Sequence, residues 1–248
     1  MIIIISHSVK LVVVLGPSHF KYLKNQCAVS NFHSVQTPIG DIEIDIEINE
    51  NLVNSNENVF KISSHDDDVQ EHSLEMQYPL IAKVFDKNQT KILPILVGQF
   101  SDTFKRKHAA EILLKCIPNL DSKNVLFVIS SDFCHYGNRF NYKPDFKESK
   151  LSPNENISNL DHYGFDTLND SQPITAFTDY LKSTGNTICG KEPILLFLEV
   201  LKQTKIEGRW ELIDYAQSNL LTSSSDHSVS YLSAIFKCLP QQGPRDRL

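Results

Sequence analysis

Glycine is scarce in this sequence, nine residues of 248, and none of it is arranged as a phosphate-cradling loop. There is no G-x-G-x-x-G, no P-loop and no G-x-S-x-G elbow, which sets aside the common dinucleotide, nucleotide and α/β-hydrolase chemistries. Neither H-E-x-x-H nor a zinc-type Cys/His cluster is present. The five cysteines, Cys27, Cys116, Cys134, Cys189 and Cys238, are odd in number and widely spread, with no C-x-x-C pair. That pattern fits a reducing compartment better than a disulfide framework. Basic excess is missing too: a net charge of -6 argues against nucleic acid as a partner. Long hydrophobic runs are absent; Met1 to Ile5 is far too short to span a bilayer and lacks the flanks of a signal peptide, so it reads as part of a strand. Membrane insertion is therefore not expected.

What is present is a set of short apolar runs that end in polar, reactive residues. Leu11 to Leu15 and Val125 to Ile129 are continuous apolar runs of the kind a strand shows when both its faces are covered. Lys91 to Val97, ended by Gly98, is a third. Asp41 to Ile48 alternates strictly and predicts a strand with one wet face. Asn49 to Asn58 reads as a helix edge or loop, and Asp66 to Asp68 as a solvated acidic turn rather than a calcium loop, whose ligands alternate. Glu71 to Phe85 predicts a helix kinked by Pro79, with His72 and Glu75 on one face. Phe104 to Ile117 predicts an amphipathic helix capped by Asp102, with Cys116 on its apolar stripe. Arg139 to Pro153 reads as a long surface loop, Ile157 to Leu168 and Ile174 to Leu181 as helices, and Ile194 to Leu201 as a buried helix. Trp210 to Ala216 and Ser228 to Phe236 read as late strands, and the polar segment from Gln241 to Leu248 as a loose tail. Strands alternating with helices indicate one α/β domain with a central, mostly covered sheet flanked by helices.

The candidate site residues follow from those strand ends. His19 comes just after the first covered strand, and Asp132 and His135 just after the Val125 strand, where open α/β sheets place reactive groups. The alternative is that Asp132 caps a turn and His135 sits in the rim. His72 is an outer candidate. Cys134 reads as a small buried hydrophobe, and Cys189, before Gly190 and a helix start, as the better candidate for a reactive thiol.

Five segments occur here in the order found in Memo proteins, the mediators of receptor-tyrosine-kinase-driven cell motility. They are Gly16-Pro-Ser-His19, Glu71-His-Ser-Leu-Glu-Met76, Ser130-Ser-Asp-Phe-Cys-His-Tyr-Gly137, Asn186-Thr-Ile-Cys-Gly190 with Pro193, and Tyr215-Ala-Gln-Ser218 with Ser228-Val-Ser-Tyr231. The resemblance runs from about Lys10 to about Phe236, and implies a single domain over residues 1–238 similar in fold to class III extradiol dioxygenases. Those enzymes hold Fe(II) with two histidines and a carboxylate. In Memo proteins a cysteine stands in the carboxylate's place, and iron or copper binding, redox activity and binding of phosphotyrosine-containing receptor segments are associated with the family. By motif, His19 matches a metal histidine, and Asp132 and His135 match the pocket acid and the acid-base histidine.

The departures from the family pattern bear on function. The Pro-His-Ala-Gly segment that supplies the first metal histidine does not occur in this sequence, and His7 is a poor substitute. Leu221 stands where the family has its ligand cysteine, Phe20 where it has a second histidine, and Gln77 where it has another. His19 is then the one surviving ligand counterpart, and no bound metal is expected unless iron or copper finds other ligands. The leading expectation is a Memo-like signalling adaptor, cytoplasmic or also nuclear. It would use a vestigial dioxygenase-type pocket to bind phosphotyrosine segments through His19, His72, His135 and Arg139, without turnover. An iron- or copper-dependent oxidoreductase is the alternative, and an inert fragment the third reading.

Overall fold

The computed structural model describes residues 9–55, 58–86, 88–117, 120, 124–146, 148–223 and 225–239. The expectations for Met1 to Ile5, for His7 and for the tail from Gln241 fall outside them. In chain order the elements are β1 (Leu11–Pro17), β2 (Cys27–Val29), β3 (Ser34–Val35), β4 (Ile42–Glu43), α1 (Ile46–Val53), β5 (Phe60–Ile62), α2 (His65–Gln70), α3 (Tyr78–Val84), β6 (Lys91–Val97), α4 (Thr103–Cys116), β7 (Val125–Ile129), β8 (His135–Tyr136), α5 (Pro153–Asp166), α6 (Pro173–Thr184), α7 (Lys191–Thr204), β9 (Gly208–Gln217) and β10 (Ser228–Cys238). Single 3-10 turns lie at Glu75–Gln77, Asn138–Phe140 and Thr167–Asn169.

All seven residues of β1 are buried, as its unbroken apolar run requires. It pairs in parallel with β6 and β7 on its two sides, within a five-stranded sheet of order β5-β2-β6-β1-β7. The sheet is mixed, because β2 runs antiparallel to β6. A second sheet, β8-β10-β9, is antiparallel. One helix joins the two: Phe197 of α7 meets Phe127 of β7 at 5.1 Å and the rings of Trp210 and Phe236, from β9 and β10, at 5.9 and 6.4 Å. A buried ion pair ties α4 to α7, Arg106 giving two hydrogen bonds to Glu192 Oε2 at 3.0 and 3.1 Å. The whole is a single α/β domain with a central sheet flanked by helices, as the strand and helix pattern predicts.

Three local expectations are overturned. The alternating segment Asp41 to Ile48 forms strand only at β4; Asp45 then caps α1, its carboxylate accepting from Ile48 N at 3.2 Å. Its isoleucines also fit a helical stripe, since Ile44, Ile48 and Leu52, four apart, are all buried. Asn49 is therefore inside a helix, buried, with Nδ2 on Ser30 O at 3.1 Å. The acidic turn is the six-residue α2, with Ser64 as N-cap and the aspartates in the favourable first turn. Asp68 also accepts from Ser30 Oγ and Asn31 N, at 2.9 and 2.7 Å. The helix expected over Glu71 to Phe85 begins only at Tyr78, with Pro79 in its first turn rather than at a kink. His72 and Glu75 accordingly share no helix face.

Candidate functional site

The crevice is built where β1 and β7 end. A Cβ at Gly16 would lie 2.7 Å from Leu74 Cδ2 and 2.9 Å from Ser73 Oγ, so glycine spares both side chains a shift where the end of β1 meets the segment after α2. Ser73 Oγ donates to Pro17 O at 2.8 Å, and Ser130 Oγ, just past β7, donates to Ser73 O at 2.6 Å. Gln77 Nε2 donates to Ser130 Oγ at 3.2 Å, which accounts for that residue in polar terms.

Glu71 is the anchor of this arrangement. One oxygen, Oε2, accepts from His19 N at 2.6 Å and Phe20 N at 3.1 Å; the other, Oε1, accepts from His72 N and Ser73 N, both at 3.1 Å. Four backbone donors thus occupy about the four lone-pair sites a carboxylate has. Burial alone would raise its pKa, but the hydrogen bonds from His19, Phe20 and Ser73 outweigh it and hold the carboxyl at about 2. His19 and His72 flank the same carboxylate, their Nδ1 atoms 3.4 and 3.9 Å from Oε1, and their rings stack at 5.3 Å and 15°. Both imidazoles face outward, with side chains 40% and 69% exposed. Hydrogen bonding with Cys189 and then with Glu71 outweighs burial and pushes the His19 pKa up to about 10. Among the described residues, His19, Glu71 and His72 form the one group of three potential metal-ligating side chains whose ligand atoms all lie within 4.8 Å of one another.

The β7 side of the crevice holds Asp132 and His135. Nδ1 of His135 contacts Phe133 O at 2.9 Å and Thr187 O at 3.0 Å; both are acceptors, so Nδ1 carries the proton. That leaves Nε2 facing Asp132 Oδ2 at 3.8 Å. The loop is fixed from the α7 side: Cys189 N donates to Asp132 O at 3.3 Å, Asp132 N donates to Cys189 Sγ at 3.0 Å, and Gly190 N donates to Ser131 Oγ at 3.0 Å. Beneath it lies Asp161, fully buried, which accepts from Cys134 N at 3.3 Å, Asn186 Nδ2 at 2.9 Å and Tyr215 Oη at 2.9 Å. Burial pushes the pKa of Asp161 upward against these hydrogen bonds.

The structure therefore brings His19 and His72 together, and places Asp132 beside His135. Cys134 is fully buried in an apolar cluster with Tyr136 and Ile157, and Leu221 packs against that cluster. Arg139 is exposed and lies 5.7 Å over the ring of Phe140, which in turn meets His135 edge-on at 5.1 Å. Glu71, Asp161 and Cys189 carry more of the geometry than sequence reasoning gave them. Glu71 stood inside a quoted motif, but its donors come from backbone, which leaves no trace in residue type. A hollow of 530 Å³ opens behind Glu71, lined by Asp68, Glu71 and Glu75 among others, and its acids suit it poorly to anions.

Comparison with known proteins converges on one family. The model of Memo-like proteins matches residues 3–235. The chain is 39% identical to the memo-1 homolog of Caenorhabditis elegans over 94% of this chain and 65% of that protein. It is 33% identical to the MEMO1 family protein MHO1 of Saccharomyces cerevisiae, over 92% and 79% of the two chains. To Protein MEMO1 of Danio rerio it is 37% identical, over 89% and 73%. The chain thus spans less than two thirds of the nematode relative's length. No helix among the described residues is long and apolar enough to cross a membrane.

Proposed function

The chain belongs to the Memo-like family, and from that premise we propose that it is a signalling adaptor of the Memo type that binds an anionic group in this crevice without turning it over. The group is a phosphoryl ester of the phosphotyrosine kind, and cell-motility signalling is the setting the family resemblance implies. The observation that carries the reading is the outward-facing imidazole pair of His19 and His72 above a carboxylate whose acceptor sites are already taken. The raised pKa of His19 keeps that ring cationic at neutral pH. Exposed Phe20 and Tyr22 beside it offer a rim for an aromatic ring. Arg139, exposed over the Phe140 ring that meets His135 edge-on, is a second cation for the same group.

A metal-dependent oxidoreductase is the second reading, favoured by the clustering of His19, Glu71 and His72. The donor geometry weighs against it. Imidazole lone pairs lie in the ring plane, and two rings stacked within 15° of parallel do not aim them at one shared point. Glu71 would have to give up backbone hydrogen bonds to bind a cation, and Leu221 offers carbon where the family pattern has sulfur. These residues do not fit a preformed metal site, so no step of the proposed function passes through one.

Calorimetric titration with a phosphotyrosine peptide tests the proposal. His19→Ala and His72→Ala are each expected to weaken binding by about 1–2 kcal/mol, the worth of a charge-assisted hydrogen bond. Unchanged affinity in both variants would remove the imidazole pair from the account.

A further inference from the structure

The hollow behind Glu71 has a chemistry opposite to that of the imidazole pair. Its volume of 530 Å³ falls within the roughly 300–1,000 Å³ of small-molecule sites. Ala28, Phe32, Leu74, Pro94 and Leu96 give it apolar walls, and Asp68, Glu71 and Glu75 give it three carboxyl groups. Among the described residues no lysine or arginine lines it, and His33 is the one lining side chain able to carry positive charge.

The phenol of Tyr78, which also lines the hollow, lacks a partner. The residue is only 9% exposed, yet its hydroxyl makes no hydrogen bond with a described residue. A tyrosine hydroxyl so enclosed usually has one. The local backbone sets its direction: Tyr78 N donates to Glu75 O across the 3-10 turn. Side chains three apart in such a turn eclipse, so Glu75 and Tyr78 stand on one wall of the hollow. Burial, and then the charges of Asp68 and Glu75, push the phenol's pKa up and keep it a neutral hydroxyl whose oxygen can accept. Asp68 is oriented by Ser30 Oγ and Asn31 N, both donating to Oδ2, and a carboxylate with about four lone-pair sites has room for further donors. Glu75 is exposed and enters no ion pair with a described residue.

These acids do not converge as metal ligands do. Among the described residues, the one trio of ligand atoms within 4.8 Å of one another is that of His19, Glu71 and His72, which excludes a trio from Asp68, Glu71 and Glu75. Spread acceptors instead suit an ammonium, whose three N–H donors point apart. We propose that the hollow binds a primary amine carried on a flat aromatic body. Asp68, Glu75 and Tyr78 Oη hold the ammonium, and the ring lies against Phe32, Pro94 and Leu96. Glu71, its acceptor sites filled by backbone, adds negative charge and no hydrogen bond.

The test is calorimetric titration of the full chain with tryptamine at pH 7, where its amine is charged. Tryptophol and indole-3-propionate are the comparisons, since they keep the ring and replace the ammonium with a hydroxyl or a carboxylate. No phosphorylated ligand is present, so failure here is distinct from failure of the anion reading. Tryptamine is expected to bind about tenfold more tightly than tryptophol, the worth of a charge-assisted hydrogen bond, and indole-3-propionate more weakly than either. Glu75→Gln should weaken tryptamine about tenfold, and Tyr78→Phe, which removes only the hydroxyl, about fivefold. Tryptamine bound no more tightly than tryptophol, or not bound at millimolar concentration, overturns the proposal. A preference for tryptamine that both variants leave unchanged puts the amine elsewhere and overturns the site.

Discussion

Replacing Glu71 with glutamine keeps the shape of the side chain and removes its charge and half of its accepting capacity. The carboxylate is only 3% exposed and accepts four backbone N–H groups, from His19, Phe20, His72 and Ser73. Glutamine leaves one oxygen for two of these donors and turns an amide NH₂ toward the other two. Two N–H groups left without acceptors beside this buried side chain cost roughly 1–3 kcal/mol each. A second figure for the same contacts follows from the depressed pKa: a carboxyl held at about 2 rather than 4.5 contributes about 3 kcal/mol at neutral pH. The two agree, so Glu71→Gln is expected to lose about 3 kcal/mol in urea denaturation at pH 7, and about 6–12 °C in thermal midpoint for a domain of this size. Because the folded-state pKa is depressed, this stability is complete above the unfolded value of 4.5 and is lost as pH falls toward about 2. The gap between the two proteins should therefore narrow below pH 4.5. A loss under about 0.5 kcal/mol at pH 7, or a gap independent of pH, would refute the view that Glu71 is the clamp holding His19 and His72.

Other consequences are smaller in scope. Arg106→Met strands Glu192 in the α4–α7 interface, where burial already raises its pKa, and should cost about 3 kcal/mol in chemical denaturation. Gly190→Ala would place a methyl 2.3 Å from Ser131 Cβ and 2.7 Å from Ser130 O, and is expected to destabilise by about 2 kcal/mol and displace the Asp132 loop. Asp45→Ala removes the N-cap of α1 and should cost about 1 kcal/mol, whereas a strand at this position would show almost no loss.

The sequence announces those elements whose apolar runs are unbroken. β1, β6, β7 and α7 were legible because their centres are buried on every side and read as nearly unbroken apolar runs. Asp41 to Ile48 was misleading because isoleucines at every second position also satisfy every fourth. The deciding contact, the Asp45 carboxylate on Ile48 N, is a capping bond rather than a pattern. Glu71 to Phe85 failed for a related reason: Pro79 suits a helix's first turn, and the residues before Tyr78 use their polar groups to bind the end of β1. In the site, His19, Asp132 and His135 could be read from their places after strands. The saturation of Glu71 by backbone donors and the burial of Asp161 could not, because each joins segments far apart in the chain.

Metal content tests the central claim most directly. The chain, purified anaerobically, offered Fe(II) or Cu and then freed of loosely held ions, is measured by mass spectrometry. Metal at background is the expected result, with phosphotyrosine binding unaffected by the treatment. Near one metal per chain, lost in His19→Ala, would show that these imidazoles converge after all and would contradict the account of a crevice that binds without a metal.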